Sequence, residues 1–210
     1  MTPILKRSVS VFLLLAALAA LQSCATLNDM AAFLASLQKL KFRLEGVHDF
    51  RLLGLDLSGK SLLSQVGAGD ALRFVQAYAS KKLPVDFVVD VAAVNPNDGT
   101  GGTRKTTGTL TSLECRLLID QKPTVTGNIE KPIEIPGTGQ ETVLPIRISL
   151  DLCEFFSDRS YEDLVGLALA LGGKNRSAAR ISLDAQPSVQ TPLGPITYPG
   201  RITIVSTEFR

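Results

Sequence analysis

Residues 142–152 read Thr-Val-Leu-Pro-Ile-Arg-Ile-Ser-Leu-Asp-Leu, and their alternation constrains the fold more than any other stretch. Leu144, Ile146, Ile148, Leu150 and Leu152 fall on one phase, with Arg147, Ser149 and Asp151 on the other. Successive side chains of a strand point to opposite faces, so the pattern predicts a strand with one buried face that another layer must cover. Pro84 to Asn97 behaves similarly: Val85, Phe87, Val89, Val91 and Ala93 share a phase, against Asp86, Val88, Asp90 and Ala92. From Leu40 to Ser58 the alternation of Phe42 and Leu44 slips around Gly46. It slips again near Gly54, where Leu53, Leu55 and Leu57 take over, and slips at glycines predict β-bulges.

Turn chemistry divides the rest. Asn95-Pro96-Asn97-Asp98-Gly99 stops one strand, and Gly99 to Gly108 is a polar loop. Further strands are predicted over 109–120, 124–136, 179–189 and 197–209, with Thr191-Pro192-Leu193-Gly194-Pro195 as a hairpin between the last two. Two helices interrupt them. One begins at Asp70, with Ala71, Phe74, Val75 and Tyr78 on one face. The other opens with the box Ser160-x-x-Asp163, sets Leu164, Leu167, Ala168 and Leu171 inward, and ends at Gly172-Gly173. About seven strands without a βαβ rhythm predict a mainly β fold, an antiparallel β-sandwich with one or two packed helices.

The first 23 residues have the parts of a secretory signal. Lys6 and Arg7 form a basic n-region, and Val9 to Leu21 is a charge-free run of 13 residues. That run is shorter than the roughly 20 apolar residues a membrane-spanning helix needs. Leu21-Gln22-Ser23-Cys24 then resembles the lipobox of bacterial lipoproteins. The resemblance implies diacylglyceryl attachment to the Cys24 sulfur, cleavage before it and acylation of the new amine. Two or more acyl chains hold a protein at a membrane stably where one does not. Ala25 in place of Asp resembles lipoproteins forwarded to the outer membrane, facing the periplasm. The expected organisation is therefore signal peptide 1–23, anchor and tether 24–39, and domain 40–210. Within the tether, Leu27, Met30, Leu34 and Leu37 recur at helical spacing. The polar face of that helix is poor in Lys and Arg, which favours a tether or packing role over membrane contact.

Loss of residues 1–23 from the 210 leaves 187, one domain's worth. It also removes Lys6 and Arg7, bringing the 22 basic residues down to 20 and level with the 20 acids. A near-neutral chain with no basic block is not expected to bind nucleic acid. Beyond Cys24 there are Cys115 and Cys153. Cys115 shares the apolar phase of Leu113, Leu117 and Ile119, whereas Cys153 sits on the polar phase beside Asp151. Free thiols are favoured over a disulfide, although an envelope compartment would permit one. No CxxC pattern or His/Cys cluster suggests a structural zinc site.

Catalytic patterns are equally sparse. His48 is the single histidine, in mid-strand beside Asp49, and no G-x-S-x-G elbow exists. Asp86 and Asp90 share a strand face but lie about 13 Å apart at the strand rise, too far for a glycosidase pair. Gly99 to Thr106 has the ingredients of a phosphate loop without its spacing or a following helix. Asn175-Arg176-Ser177 fits a glycosylation sequon, which the bacterial lipobox makes irrelevant. No catalytic, cofactor-binding or metal-ligating residues are expected.

One set of motifs resembles the type 2 late-embryogenesis-abundant family, also called the water stress and hypersensitive response (WHy) domain. It comprises the strand running into Asn95-Pro96-Asn97, then Gly127-x-Ile129-x-x-Pro132-Ile133-x-Ile135-Pro136-Gly137-x-Gly139, and Val143-Leu144-Pro145-Ile146. The resemblance spans about Leu40 to Phe209, and the helical segment before Pro84 departs from the family's smallest members. It implies a fibronectin type III- or immunoglobulin-like sandwich and no catalytic residues. It further implies a lipid-anchored, stress-protective or binding module whose partners are the membrane, through Cys24, and client proteins. A carrier or sensor of apolar ligands, with a cavity between the sheets, is the alternative.

Overall fold

The computed structural model describes residues 40–57, 67–100, 105–172, 181–191 and 194–210. Cys24, the signal segment and the tether helix lie outside the described residues. The expected mainly β, antiparallel character holds. Among the described residues ten strand segments appear where the pattern suggests about seven: β1 (Lys41–Leu52), β2 (Leu55–Asp56), β3 (Pro84–Val94), β4 (Gly108–Ile119), β5 (Lys122–Gly127), β6 (Ile133–Ile135), β7 (Glu141–Asp151), β8 (Ile181–Thr191), β9 (Gly194–Thr197) and β10 (Ile202–Ile204). The difference comes from three places: the run 40–58 becomes β1 and β2, the run 124–136 becomes β5 and β6, and the expected hairpin after β8 contributes β9 before the last run shortens to β10 and an irregular tail. Among the described residues three helices join them: α1 (Ala68–Ala79), α2 (Leu152–Phe155) and α3 (Tyr161–Gly172).

The strands form two antiparallel sheets. One has the order β2-β1-β3-β7; the other runs β10-β8-β4-β5, with β6 also on β4 and β9 also on β8. Hydrogen bonds link the two sheets at both sides. Phe42 exchanges backbone bonds with Arg210 (2.6 and 2.9 Å), and Leu44 N–H donates to Val205 O (3.0 Å), so the tail after β10 lies on the free side of β1. On the other side, Ile129, just beyond β5, bridges to Ile146 of β7. Neither sheet therefore presents these edges for stray pairing.

The core is the alternating set. Phe42, Leu44, Val85, Phe87, Val89, Val91, Leu144, Ile146 and Ile148 of the first sheet are buried, as are Leu110, Leu113, Cys115, Leu117 and Leu183 of the second. The two meet around Gly127, where an added β-carbon would press on Ile146, Ile148 and Cys115 together. β3 pairs with β7 over eleven residues without a shift. It also buries Val88 and Ala92 on its other face, as a strand between two neighbours can. The slip at Gly46 is a register shift in the β1–β3 ladder, as expected. The second shift falls between His48 and Arg51 instead, with Asp49 at φ 52. Gly54, with Leu53, forms the turn between β1 and β2, both at positive φ, so the glycine there marks a hairpin and not a bulge.

Two local expectations need correcting. Cys153 is not on the polar face of a strand. Asp151 ends β7 by capping α2, its Oδ1 accepting from Cys153 N–H (2.9 Å) and from Leu83 N–H (2.8 Å). The chain thus turns helical, and Cys153 is buried at 8% exposure. Helix α1 starts at Gly67 with no side-chain cap, and Asp70 sits inside its first turn. Of the expected inner face only Phe74 is buried, while Val75 is exposed.

Helix α3 agrees with the pattern. Ser160 Oγ accepts from Asp163 N–H (3.2 Å) and contacts the Asp163 carboxylate (2.9 Å). Leu164, Leu167, Ala168 and Leu171 are buried, joined by Val165 and Gly172. The helix packs along β1. At its end Gly172 meets the ring of Phe50, leaving no room for a β-carbon.

Candidate functional site

Three groupings of polar residues deserve a chemical reading: a buried asparagine knot, the surroundings of His48, and a cleft on the outer face of the first sheet.

The knot assembles where β3 stops. Asn95 and Asn97 are buried at 1% and 2% exposure, and each buried amide must find partners. Asn95 Nδ2 donates to the carbonyls of Thr106 (2.8 Å) and Ile135 (3.0 Å). Asn95 Oδ1 accepts from Asn97 N–H (3.1 Å) and Asn97 Nδ2 (2.8 Å). Thr106 N–H returns a bond to Asn97 O (3.2 Å), and Gly139 N–H donates to Asn95 O (3.2 Å). Gly137 lies against the carbonyls of Asn97 and Thr106 so closely that any side chain would collide with them. Through its side chain and its own carbonyl, Asn95 thereby ties the end of β3 to the approach to β4, to the end of β6 and to the turn between β6 and β7. Beside it, Thr100 donates through its hydroxyl (2.7 Å) and its N–H (2.9 Å) to Asp98, which holds that carboxyl below its usual range. The knot positions backbone and offers no free group for chemistry.

His48 lies on the outer face of the first sheet, opposite Val88 of β3. Its Nδ1 is 3.2 Å from an Asp49 carboxylate oxygen and its Nε2 is 3.1 Å from one of Asp90. Asp90 pairs with Gly46, so the register shifts on either side of Val47 and His48 bring imidazole and carboxylate together. Asp49 owes its position to the bulge and its left-handed backbone. An imidazole can serve two carboxylates as donor only when doubly protonated. Both ring nitrogens face carboxylates, so neither faces a hydroxyl or thiol to activate. Strand phase sets Asp90 on one face with Asp86 and gives no sign of its meeting with His48. Strand phase was legible, but the cross-strand register depends on two bulges.

The thiols and a phenol complete the inventory. Burial pushes the Cys115 thiol up to about 11, and Cys115 Sγ lies 3.4 Å from Gly127 O. Burial, with the Asp151 carboxylate nearby, also raises Cys153. Both cysteines are free and, in the protonated form, poor nucleophiles and poor metal ligands. Among the described residues, no group of three or more His, Cys, Asp or Glu side chains could hold a metal ion. The Tyr198 hydroxyl is buried without a hydrogen-bond partner among the described residues, and burial lifts it to about 12.

The cleft is lined by Val88, Glu130, Lys131, Ile133, Pro145 and Arg147 and has a volume of about 130 Å³. Small-molecule sites are typically about 300–1,000 Å³. It opens on the outer face of β3 and β7, not between the sheets, and its rim pair Arg147–Glu130 (3.4 Å) is well exposed on both sides. Such a pair contributes little and leaves both charges open to solvent. Among the described residues, no helix is long and apolar enough to cross a membrane.

No family model and no curated protein matches this sequence. Among solved structures, a protein from Archaeoglobus fulgidus aligns over 60% of this chain and 87% of its own, at 9% identity and a TM-score of 0.30. A likeness that weak carries no argument about fold or activity.

Proposed function

We propose that the chain is a bacterial lipoprotein, anchored through Cys24 to the outer membrane and facing the periplasm. In this reading residues 40–210 form a type 2 late-embryogenesis-abundant-like domain with a fibronectin type III-like sandwich. The domain acts without catalysis, by binding or protecting client proteins under water stress. The observation that carries the reading is the knot. Asn95-Pro96-Asn97 and Ile135-Pro136-Gly137-x-Gly139 are separate in sequence and carry the family resemblance, and they meet around one buried asparagine. Residues that jointly solve one packing problem support a shared scaffold better than either motif alone. The paired nitrogens of His48 and the protonated thiols support the non-catalytic part. The carrier alternative has less support, since the cleft described above is small and lies outside the core.

Attachment is tested by Cys24→Ala, which is expected to remain unacylated by mass spectrometry and to leave the membrane fraction. A variant that stays membrane-bound with its leader removed overturns the lipoprotein reading. Protection is tested with residues 25–210, which should limit aggregation of a dried or heated client enzyme in proportion to concentration. Co-purification with one apolar ligand per domain would favour the carrier. Turnover of a hydrolase substrate abolished by His48→Ala would overturn both.

A further inference from the structure

The outward side of α1 is apolar where a peripheral helix ordinarily turns polar. Ala68, Leu72, Val75 and Ala79 recur at i, i+4, i+7 and i+11, which sets them in one stripe along the helix. All four are exposed, Leu72 at 58% and Val75 at 47%, while the inner side holds the buried Phe74 and the half-buried Ala71 and Tyr78. Cations frame the stripe. Arg73 is 61% exposed, and its contact with Asp70 is loose at 3.7 Å. Lys81 and Lys82 follow the helix directly and are exposed, and neither pairs with a carboxylate among the described residues. Across residues 67–83 one acid, Asp70, stands against three bases.

We propose that α1 is a second membrane contact, a helix that lies on an anionic lipid surface with Leu72 and Val75 in the headgroup boundary. The proposal rests on the reading that Cys24 carries lipid. Apolar stripe and surplus of Lys and Arg together fit an interface with acidic headgroups, the combination that interfacial helices use. A protein partner fits less well. Twelve residues make a helix about 18 Å long, and two large side chains fall well short of the roughly 1,200 Å² that stable protein interfaces bury. A lipid surface needs no such area here, because an anchored domain meets the membrane at high effective concentration.

The chain contains no tryptophan, so Leu72→Trp supplies a single emitter at an exposed position. The lipidated protein carrying it is reconstituted into phosphatidylcholine vesicles with and without phosphatidylglycerol. The expected result is a blue-shifted emission that brominated-chain lipids quench, present with phosphatidylglycerol and much reduced without it or at high salt. Lys81→Glu with Lys82→Glu should abolish the shift, and Ser149→Trp, on the exposed sheet face, should show none. Emission characteristic of water in every vesicle overturns the proposal. So does a blue shift already present without vesicles, or one that grows with protein density and resists lipid quenching, which would mean that another protein segment or a second copy covers the stripe. Acylation of Cys24 is read separately by mass spectrometry, so loss of the anchor and loss of helix docking are told apart.

Discussion

Helices α1 and α3 are both twelve residues long and both rich in apolar residues, yet they are built into the domain in different ways. α3 is capped by Ser160 and buries Leu164, Val165, Leu167, Ala168, Leu171 and Gly172. α1 begins at Gly67 with no side-chain cap and buries Phe74 alone. Helix propensity is similar in the two; what differs is whether a covering surface exists. α3 lies along β1, which presents Phe50 to Gly172, whereas α1 hangs from one aromatic residue and a Tyr78 hydroxyl that donates to Arg159 O (3.2 Å). The lesson is that apolar residues in a helix report available burial, and the sheets decide how much of it is used.

Five substitutions would break or sharpen that contrast, all read by denaturant unfolding. The largest effect is expected at Phe74→Ala, about 3–5 kcal/mol, because its ring is the one fully buried side chain of α1. Loss of helical circular dichroism while the sheets still unfold cooperatively would show that α1 detaches by itself. Leu167→Ala should cost about 2–5 kcal/mol and lower the stability of the whole domain, since α3 is part of the core wall. At Gly172→Ala the new methyl must displace the buried Phe50 ring, for about 1–3 kcal/mol. A neutral result there would mean that the helix end shifts freely. Ser160→Ala removes the cap and should cost about 0.5–2 kcal/mol. Leu72→Ser should stay within about 0.5 kcal/mol, as an exposed site does. Should Leu72→Ser cost as much as Leu167→Ala, the contrast between the two helices would be gone.

Much of this was legible in the residues. β7 carries its buried set at every second position, and no other element could hide Leu144, Ile146, Ile148 and Leu150 together while exposing Arg147 and Ser149. The Ser160 box and the inner face of α3 were equally plain, because cap chemistry and helical period act within a few residues. Failures came where the outcome depended on distant partners. Asp151 looked like the polar phase of a strand, but Leu83 N–H arrives from 68 residues away to share its carboxylate with the start of α2. Val75 shares the helical phase of a core residue, yet among the described residues it stands exposed.

Local pattern by itself determined the strand-rich character, the identity of most core residues and the turn at Asn95–Gly99, because periodicity and turn preference are short-range properties. Tertiary structure alone decided which strands are neighbours, how the tail closes on β1, that His48 meets Asp90, and that Asn95 joins three separate segments. Those depend on register and on bulges, where one residue of slip redirects every side chain that follows, and a linear pattern carries no record of the partner against which the slip is counted.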